Sequence, residues 1–283
     1  MITLIPIEHS TRDRRGVVVR QNGALGEASP LRARSKESLD EVLRAIALGE
    51  RPPPSLDFAL WSLDAKRGSG RVVSQALLED ARTALVTAKA ALVLGHRAFK
   101  LKIRSRDDAL VLSELRALAP DVVIRVDANL AFARASDVPW DLLARAEVEW
   151  IEEPCTDAGA LVGTPVAIAL DESVALAPDR ALDDVAEHRV AALVLKPTLL
   201  GASETLRIAA ECRRRGGRTI VSHAFESEIG LAAAEELARR IDPAEIHGLG
   251  RWDGIDAYRL AVSGAPLRSL FEPEGTRADS ALG

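Results

Sequence analysis

The chain has 283 residues, of which 47% are hydrophobic, and a formal net charge of -5 at pH 7. Nucleic-acid binding needs a basic surface, so this acidic balance excludes nucleic acid as an expected partner and favours a small molecule. The chain has two cysteines, no signal-peptide pattern and no apolar run of the roughly 18 residues that a membrane helix needs, so we expect a cytoplasmic protein without membrane contacts.

The first 70 residues predict a small α+β capping domain. Residues 16–20 are mostly β-branched and precede an Asn22-Gly23 turn pair, which indicates a short sheet within residues 1–30. A helix is predicted over residues 35–48 with Ser35 as its N-cap, and a second over 55–66 after three prolines. We expect the tail, residues 251–283, to pack back on this domain.

From residue 71 to residue 250 short apolar runs alternate with helical patterns. The predicted strands cover residues 72–78, 98–103, 122–129, 148–154, 166–172, 191–198, 219–223 and 245–249. The helix between residues 154 and 166 must be very short, because that strand-to-strand step is the shortest. Eight strands that alternate with helices predict an α/β fold, a closed (β/α)8-type barrel rather than an open sheet.

Charged residues end five of these strands at similar spacing. They are Lys102, Asp127, Glu152, Asp171 and Lys196. The carboxyl ends of parallel barrel strands open onto one mouth, where barrel enzymes place their active sites, so we expect these side chains in one site.

Strand alternation adds further residues to the inward-facing set. Residues two apart share a face, so Lys100 points inward with Lys102, and Arg125 and Asn129 point inward with Asp127. The small residues Ala167 and Ala169 share a face with Asp171, which favours Asp171 over Glu172 as the inward carboxylate.

Three carboxylates at one mouth would repel one another without a cation. Oxygen ligands suit a hard ion, with Mg²⁺ the first choice and Mn²⁺ the second. A lysine close to such an ion and to another lysine has its neutral form favoured, as a proton-abstracting base requires. The set therefore suits removal of a proton next to a carboxylate and stabilisation of the resulting enediolate.

The ordered motifs resemble the enolase superfamily, muconate-lactonizing subgroup, over residues 16–250. They are Lys-x-Lys at 100–102, Asp-x-Asn at 127–129, Ile-Glu-Glu-Pro at 151–154, Asp-Glu-Ser at 171–173 and Lys-Pro-Thr at 196–198. The resemblance implies an enolase-like modified TIM barrel with an N-terminal cap. It also implies metal ligands at Asp127, Glu152 and Asp171, with Lys102 and Lys196 facing each other across the substrate.

Within this subgroup the motifs are most similar to those of the o-succinylbenzoate synthase family. The similar segments are Arg-Val-Asp-Ala-Asn at 125–129, Glu-Glu-Pro-Cys at 152–155, Leu-Lys-Pro-Thr-Leu at 195–199 and Phe-Glu-Ser-x-Ile-Gly at 225–230. This resemblance implies a lyase of menaquinone biosynthesis that removes water, in a syn elimination, from a succinyl-hydroxycyclohexadiene carboxylate. Lys102 would take the α-proton and return it to the departing hydroxide, while Lys196 would stay protonated.

The remaining candidate residues have supporting or substrate-binding roles. Lys100, Arg125, Asn129, Ser222, His223 and Gly248 form this group. A histidine at the end of the seventh strand is the base in the mandelate-racemase subgroup. That subgroup lacks a lysine on the sixth strand, so a pocket-lining role suits His223 better.

Other reactions of the subgroup stay open at this point. Muconate cycloisomerase, dipeptide epimerase and N-acylamino acid racemase share the same lysines and metal ligands. Dipeptide epimerases usually add Asp-x-Asp on the eighth strand, where this chain has His247-Gly248-Leu249-Gly250. A non-catalytic barrel that binds a small acid is a remote alternative, and the oligomeric state is open.

Overall fold

The computed structural model describes residues 2–9, 14–66, 68, 70, 72–156, 162–250 and 258–260. The chain begins with an antiparallel sheet of β1 (Thr3–His9), β2 (Arg14–Gln21) and β3 (Ala24–Ala28). Asn22 and Gly23 join β2 to β3 with φ of 50° and 84°, as a tight hairpin turn requires. Near the other end of the chain β13 (Tyr258–Leu260) pairs with β1 and adds a strand to this sheet.

Two helices follow the sheet, α1 (Leu39–Leu48) and α2 (Pro54–Asp64). The prediction of Ser35 as the first N-cap is wrong. Ser38 caps α1, because its hydroxyl accepts the Glu41 N–H and the Glu41 carboxylate accepts the Ser38 N–H over 2.7 Å. Ser35 instead accepts the N–H of Leu31 in the preceding turn, over 2.8 Å.

Helix α2 lies against the sheet at a glycine. A Cβ atom added at Gly26 of β3 would stand 2.0 Å from the carbonyl oxygen of Ala59, so only glycine allows this approach. The apolar side chains between sheet and helices form a core of their own, which includes Val17, Val42 and Leu56.

In the described chain, eight parallel strands form the main body, with the first interrupted at Gln75. They are β4 (Val73–Ser74) with β5 (Ala76–Leu78), β6 (Ala98–Lys102), β7 (Val123–Asp127), β8 (Trp150–Glu152), β9 (Ala167–Leu170), β10 (Ala192–Leu195), β11 (Arg218–Val221) and β12 (Ile246–His247). Strand β12 pairs with β4, and beyond it Gly248 bridges to Ser222 after β11. These pairings close the ring, and the predicted α/β barrel is confirmed.

Helices pack outside the strands. They are α3 (Ala84–Val93), α4 (Leu112–Leu118), α5 (Trp140–Arg145), α6 (Glu172–Leu176), α7 (Pro178–Ala186), α8 (Pro197–Leu200), α9 (Ala202–Arg214) and α10 (Glu228–Ile241), with 3-10 turns at Asp108–Val111 and Ala135–Asp137. The very short helix predicted after Pro154 falls partly on residues 157–161, outside the described residues. Among the described helices none combines the length and the apolar character of a membrane span.

The N-terminal sheet is fixed to the barrel next to the mouth. The buried carboxylate of Glu27 in β3 accepts the N–H groups of Ser227 over 2.9 Å and Gly230 over 3.1 Å, at the start of α10. Burial raises the pKa of Glu27. Arg14 donates to the carbonyl oxygens of Ala224, over 2.6 Å, and Phe225, over 2.8 Å. The first segment therefore holds the loop between β11 and α10, while a division at residue 70 stays a prediction.

Candidate active site

Three carboxylates from neighbouring strands meet at the barrel mouth. Asp127 ends β7 and is the register partner of Glu152, which ends β8, and Asp171 follows β9. All three are buried, and one oxygen from each lies within 4.8 Å of the others. The strand-end pattern therefore places these acids together.

Two lysines offset part of the negative charge of this cluster. Nζ of Lys100 lies 2.6 Å from Oε2 of Glu152 and 3.0 Å from Oδ2 of Asp127. Nζ of Lys196 lies 2.8 Å from each oxygen of Asp171 and 2.9 Å from Oε1 of Glu172. The ammonium groups thus occupy both sides of the acidic cluster.

Lys102 differs from the other two lysines. It ends β6, is half-buried and has Asp127 as its register partner. No described residue forms a hydrogen bond or ion pair with its ammonium. In the order of strands Lys102 stands one strand before the three acids and Lys196 one strand after them. The two predicted catalytic lysines therefore flank the acids, and the Lys102 amine is available to a bound molecule.

Burial and neighbouring charges shift the pKa values of this cluster in different directions. Burial raises the pKa of Asp171 to about 6, against the attraction of Lys196. Burial also opposes ionisation of Asp127, but the ammonium groups of Lys100, Lys196 and Lys102 together outweigh it and the pKa of Asp127 is lowered. The ammonium of Lys196 loses solvation, yet Asp171 and Glu172 together raise its pKa above the ordinary value. Lys196 is therefore protonated near neutral pH.

Two residues just past the strand ends orient the acids. Asn129 donates from Nδ2 to Oδ1 of Asp127 over 2.8 Å. Glu153 accepts the backbone N–H groups of Asp171 over 2.8 Å and Ser173 over 3.0 Å. Asn129 and Glu153 have φ of 46° and 44°, so the chain turns sharply after β7 and after β8.

Arg125, predicted to support the site or to bind substrate, lies away from the three acids. Its side chain is fully buried, stacks 3.9 Å from the centre of the Trp150 ring and pairs with Glu149 over 2.7 Å and Glu245 over 2.9 Å. Glu149 and Glu245 precede β8 and β12, so Arg125 points to the opposite end of the barrel from the acids. Arg125 therefore closes the floor of the barrel. Strand alternation predicted that its side chain points inward but not how deep in the barrel it lies.

The remaining predicted residues lie where β11 and β12 end. Ser222 donates from Oγ to the carbonyl oxygen of Gly248 over 3.2 Å, and a Cβ atom at Gly248 would stand 2.7 Å from that hydroxyl. Nδ1 of His223 accepts the N–H of Phe225 over 3.2 Å, with the two rings edge to face. Because β11 pairs with β10, these residues lie beside the strand that precedes Lys196. Their substrate contacts stay predictions.

Two contributors to the site were missed from the sequence. Glu172 lies at the edge of the cluster, where its Oε1 contacts Lys196 over 2.9 Å and Nη1 of Arg34 over 2.8 Å. Arg34 belongs to the turn after β3, and no sequence pattern pairs it with a residue so distant in the chain. The only signal for Glu172 in the sequence was its position next to Asp171. Strand alternation favoured Asp171 as the inward carboxylate, so Glu172 was not placed in the site.

The donor set fits a hard divalent ion. Three carboxylates supply oxygen ligands only, which is the chemistry that Mg²⁺ prefers. Oδ1 of Asp171 is buried and accepts no hydrogen bond of good geometry from the described residues, although Lys196 lies nearby. The cluster therefore has one buried acceptor oxygen that a metal ion would satisfy.

Residues 83–264 match the family model described as Enolase C-terminal domain-like, which is more than half of the chain. The protein belongs to this family. The o-succinylbenzoate synthase of Proteus mirabilis (strain HI4320) is 30% identical over 278 residues, which cover 87% of this chain and 84% of that protein. The enolase-superfamily resemblance is thereby confirmed.

Solved structures share the fold. The o-succinylbenzoate synthase from Thermosynechococcus elongatus BP-1, complexed with Mg in its active site, has a TM-score of 0.70 at 24% identity and covers 92% of this chain and 93% of that one. A muconate cycloisomerase from Pseudomonas fluorescens has a TM-score of 0.72 at 20% identity, over 90% of this chain and 87% of that one. The fold alone therefore does not separate the two reactions.

Proposed function

We propose that this protein is a metal-dependent dehydratase with o-succinylbenzoate synthase activity. The observation that carries the proposal is the cluster of three buried carboxylates with lysines on the strands before and after it. Relatives named o-succinylbenzoate synthase, 27–30% identical over most of the chain, support this reaction among those that the fold performs. The substrate is a succinyl-hydroxycyclohexadiene carboxylate and the product is an aromatic acid.

Asp127, Glu152 and Asp171 would hold Mg²⁺, with Mn²⁺ as the second choice because it accepts the same oxygen ligands. When bound, the ion supplies positive charge that stabilises negative charge developing on the substrate carboxylate and so acidifies the neighbouring C–H. Asn129 and Glu153 hold Asp127 and Asp171 in place. These two proposed ligands are thus held in position in the metal-free protein.

Lys102 is the proposed base. Its amine takes the proton next to the substrate carboxylate, and the electron pair of the C–H bond moves into the carboxylate to give an enediolate. The electron pair then returns to the ring and expels the hydroxyl group. Lys102 gives the same proton to that hydroxide, which leaves as water, and the ring becomes aromatic. Lys196 stays protonated and balances the charge of the enediolate.

Turnover of the cyclohexadiene acid tests the proposal directly. With Mg²⁺ present, we expect an ultraviolet change as the diene becomes aromatic, and we expect EDTA to abolish it. Lys102→Ala and Lys196→Ala should each lose most turnover while binding of the aromatic product persists. Absence of any spectral change in the wild-type protein would count against the proposal.

Isotope exchange separates the related reactions. In ²H₂O an epimerase or racemase incorporates solvent deuterium at the α-carbon of an N-acylamino acid or dipeptide, whereas a dehydratase gives an aromatic product and no epimer. Muconate lactonization is assayed with cis,cis-muconate. A binding protein without activity would retain ligand affinity in Lys102→Ala and show no turnover of any of these substrates.

A further inference from the structure

Arg34 places a cation at the barrel mouth from outside the barrel. Its Nη1 lies 2.8 Å from Oε1 of Glu172, and the same oxygen lies 2.9 Å from Nζ of Lys196. The Glu172 carboxylate therefore bridges Arg34, from the N-terminal segment, and Lys196, a proposed catalytic lysine.

The turn that carries Arg34 is locally fixed. The carbonyl oxygen of Leu31 accepts the N–H groups of Arg34 over 2.9 Å and Ser35 over 2.8 Å, and the Ser35 hydroxyl accepts the N–H of Leu31. Ala33 has a φ of 63°, which turns the chain immediately before Arg34. Leu31 packs against the apolar core around the barrel. These contacts hold the Arg34 backbone in place over the mouth.

The Arg34 guanidinium retains unused donors. Guanidinium has five N–H groups, and its ion pair with Glu172 is the only side-chain partner in the part of the chain that the structure describes. The Arg34 side chain is 46% exposed, whereas Glu172 is 23% exposed. Glu172 shares its charge between Arg34 and Lys196 and engages one nitrogen of the Arg34 guanidinium, so the other N–H groups can donate to a second anion.

We propose that Arg34 binds the second carboxylate of a dicarboxylate substrate. This inference rests on the proposed function, in which the ring carboxylate goes to the metal and the succinyl carboxylate needs another cation. Lys100 lies buried between two acids, and Lys102 and Lys196 act in the reaction. Arg34 is the remaining cation in contact with this cluster among the described residues, and guanidinium suits the two oxygens of a carboxylate.

Binding of two probes to the Mg²⁺-loaded protein tests this assignment. The probes are o-succinylbenzoate and its chain amide, which lacks the second negative charge. We expect Arg34→Gln to weaken binding of the diacid about tenfold, as for a lost hydrogen bond to a charged group, and binding of the amide by less than about twofold. Arg34→Lys should restore part of the diacid affinity.

A matched control removes the same charge elsewhere. Arg44 is exposed on α1 and pairs with Glu50, so Arg44→Gln should leave both affinities unchanged. Equal weakening of both probes by Arg34→Gln, or no weakening of either, would overturn the assignment. If Arg34→Gln selectively weakens binding of the diacid but the wild-type protein does not dehydrate the cyclohexadiene acid, the proposed reaction fails while the role of Arg34 in dicarboxylate recognition stands.

Discussion

Lys100 donates from Nζ to Oε2 of Glu152 over 2.6 Å, and both groups are buried. The same ammonium lies 3.0 Å from Asp127, so one cation serves two of the three proposed metal ligands. Burial alone would lower the pKa of Lys100, but attraction to Glu152 and Asp127 raises it well above its ordinary value. Lys100 is thus a built-in counter-charge for the ligand set in the metal-free protein.

Lys100→Met should destabilise the metal-free protein. Removing one partner of a buried ion pair costs about 3–5 kcal/mol, because the other charge stays buried and unpaired. We expect that loss in the free energy of unfolding, measured by urea denaturation in EDTA. Mg²⁺ should restore much of it, so the rise in Tm on adding Mg²⁺ should exceed that of the wild type. Lys89→Met, at an exposed position on α3, is the control. Equal Mg²⁺-induced shifts in all three proteins would contradict this role.

Glu153→Ala should weaken metal binding without removing a ligand. Glu153 holds the backbone of Asp171 and both polar groups of Ser173, so its loss frees the strand end that presents Asp171. Loss of such a supporting contact typically lowers metal affinity about 10–100-fold. Titration calorimetry with Mg²⁺ measures the change.

A conservative variant and a charge-matched control accompany this measurement. Glu153→Gln keeps an acceptor oxygen for the backbone N–H groups and should recover part of the affinity. Glu114→Ala, on the exposed face of α4, removes the same charge and should leave Mg²⁺ binding unchanged. An unchanged affinity in Glu153→Ala would show that Asp171 needs no such support.

The sequence was sufficient to group the acids because barrel geometry is regular. Parallel strands in register bring their carboxyl ends to one level, so even spacing along the chain becomes proximity in space. The pairs Lys102 with Asp127 and Asp127 with Glu152 are direct register partners, as equal spacing implies. The eight-strand ring was predictable because eight short apolar runs alternate with helical patterns along the chain.

Contacts that depend on depth or on long-range packing could not be predicted. Arg125 shares a face with Asp127 but lies one layer deeper, where it meets Glu149 and Glu245 from other strands. Arg34 reaches Glu172 only because the N-terminal sheet docks beside the mouth. By contrast, Ser38 as the helix cap was predictable, because Glu41 follows it at capping-box spacing.

Arg125→Met should reduce stability and leave substrate affinity unchanged. The variant removes the hydrogen bonds to Glu149, Glu245 and Gln75 and the stacking on Trp150, all at the floor of the barrel. We expect a loss of about 3 kcal/mol in the free energy of unfolding, the scale for breaking a buried ion pair. KM of the folded protein should change by less than about twofold, because no ground-state contact is removed.

Arg218→Met provides the matched comparison at this end of the barrel. Arg218 also stacks on Trp150 and pairs with Glu149 and Glu245, but its side chain is 44% exposed. Solvent screens its ion pairs, so its loss should cost about 1 kcal/mol or less. A selective rise of KM in Arg125→Met would return Arg125 to the substrate site.

His247 should make stability depend on pH. It is fully buried, its Nδ1 accepts the N–H of Val221 over 3.0 Å, and Nε2 lies 2.8 Å from the carbonyl oxygen of Asp242. Burial lowers the pKa of His247, and protonation of Nδ1 would remove the acceptor for Val221. The folded protein therefore holds this histidine in its neutral form.

The sign follows from proton binding. Below the ordinary histidine pKa of about 6.5 the unfolded chain binds a proton at His247 that the folded protein does not. The free energy of unfolding should fall by up to about 1.4 kcal/mol per pH unit as the pH drops from about 6.5 towards the lowered pKa, and this contribution should be constant above that range. His247→Gln should be less stable at pH 8 but lose this slope. Subtracting the stability-against-pH profile of His247→Gln from that of the wild type leaves the contribution of His247. Asp171, whose pKa burial raises to about 6, is present in both proteins and cancels. Parallel profiles between pH 5 and pH 7 would mean that His247 titrates alike in the folded and unfolded states.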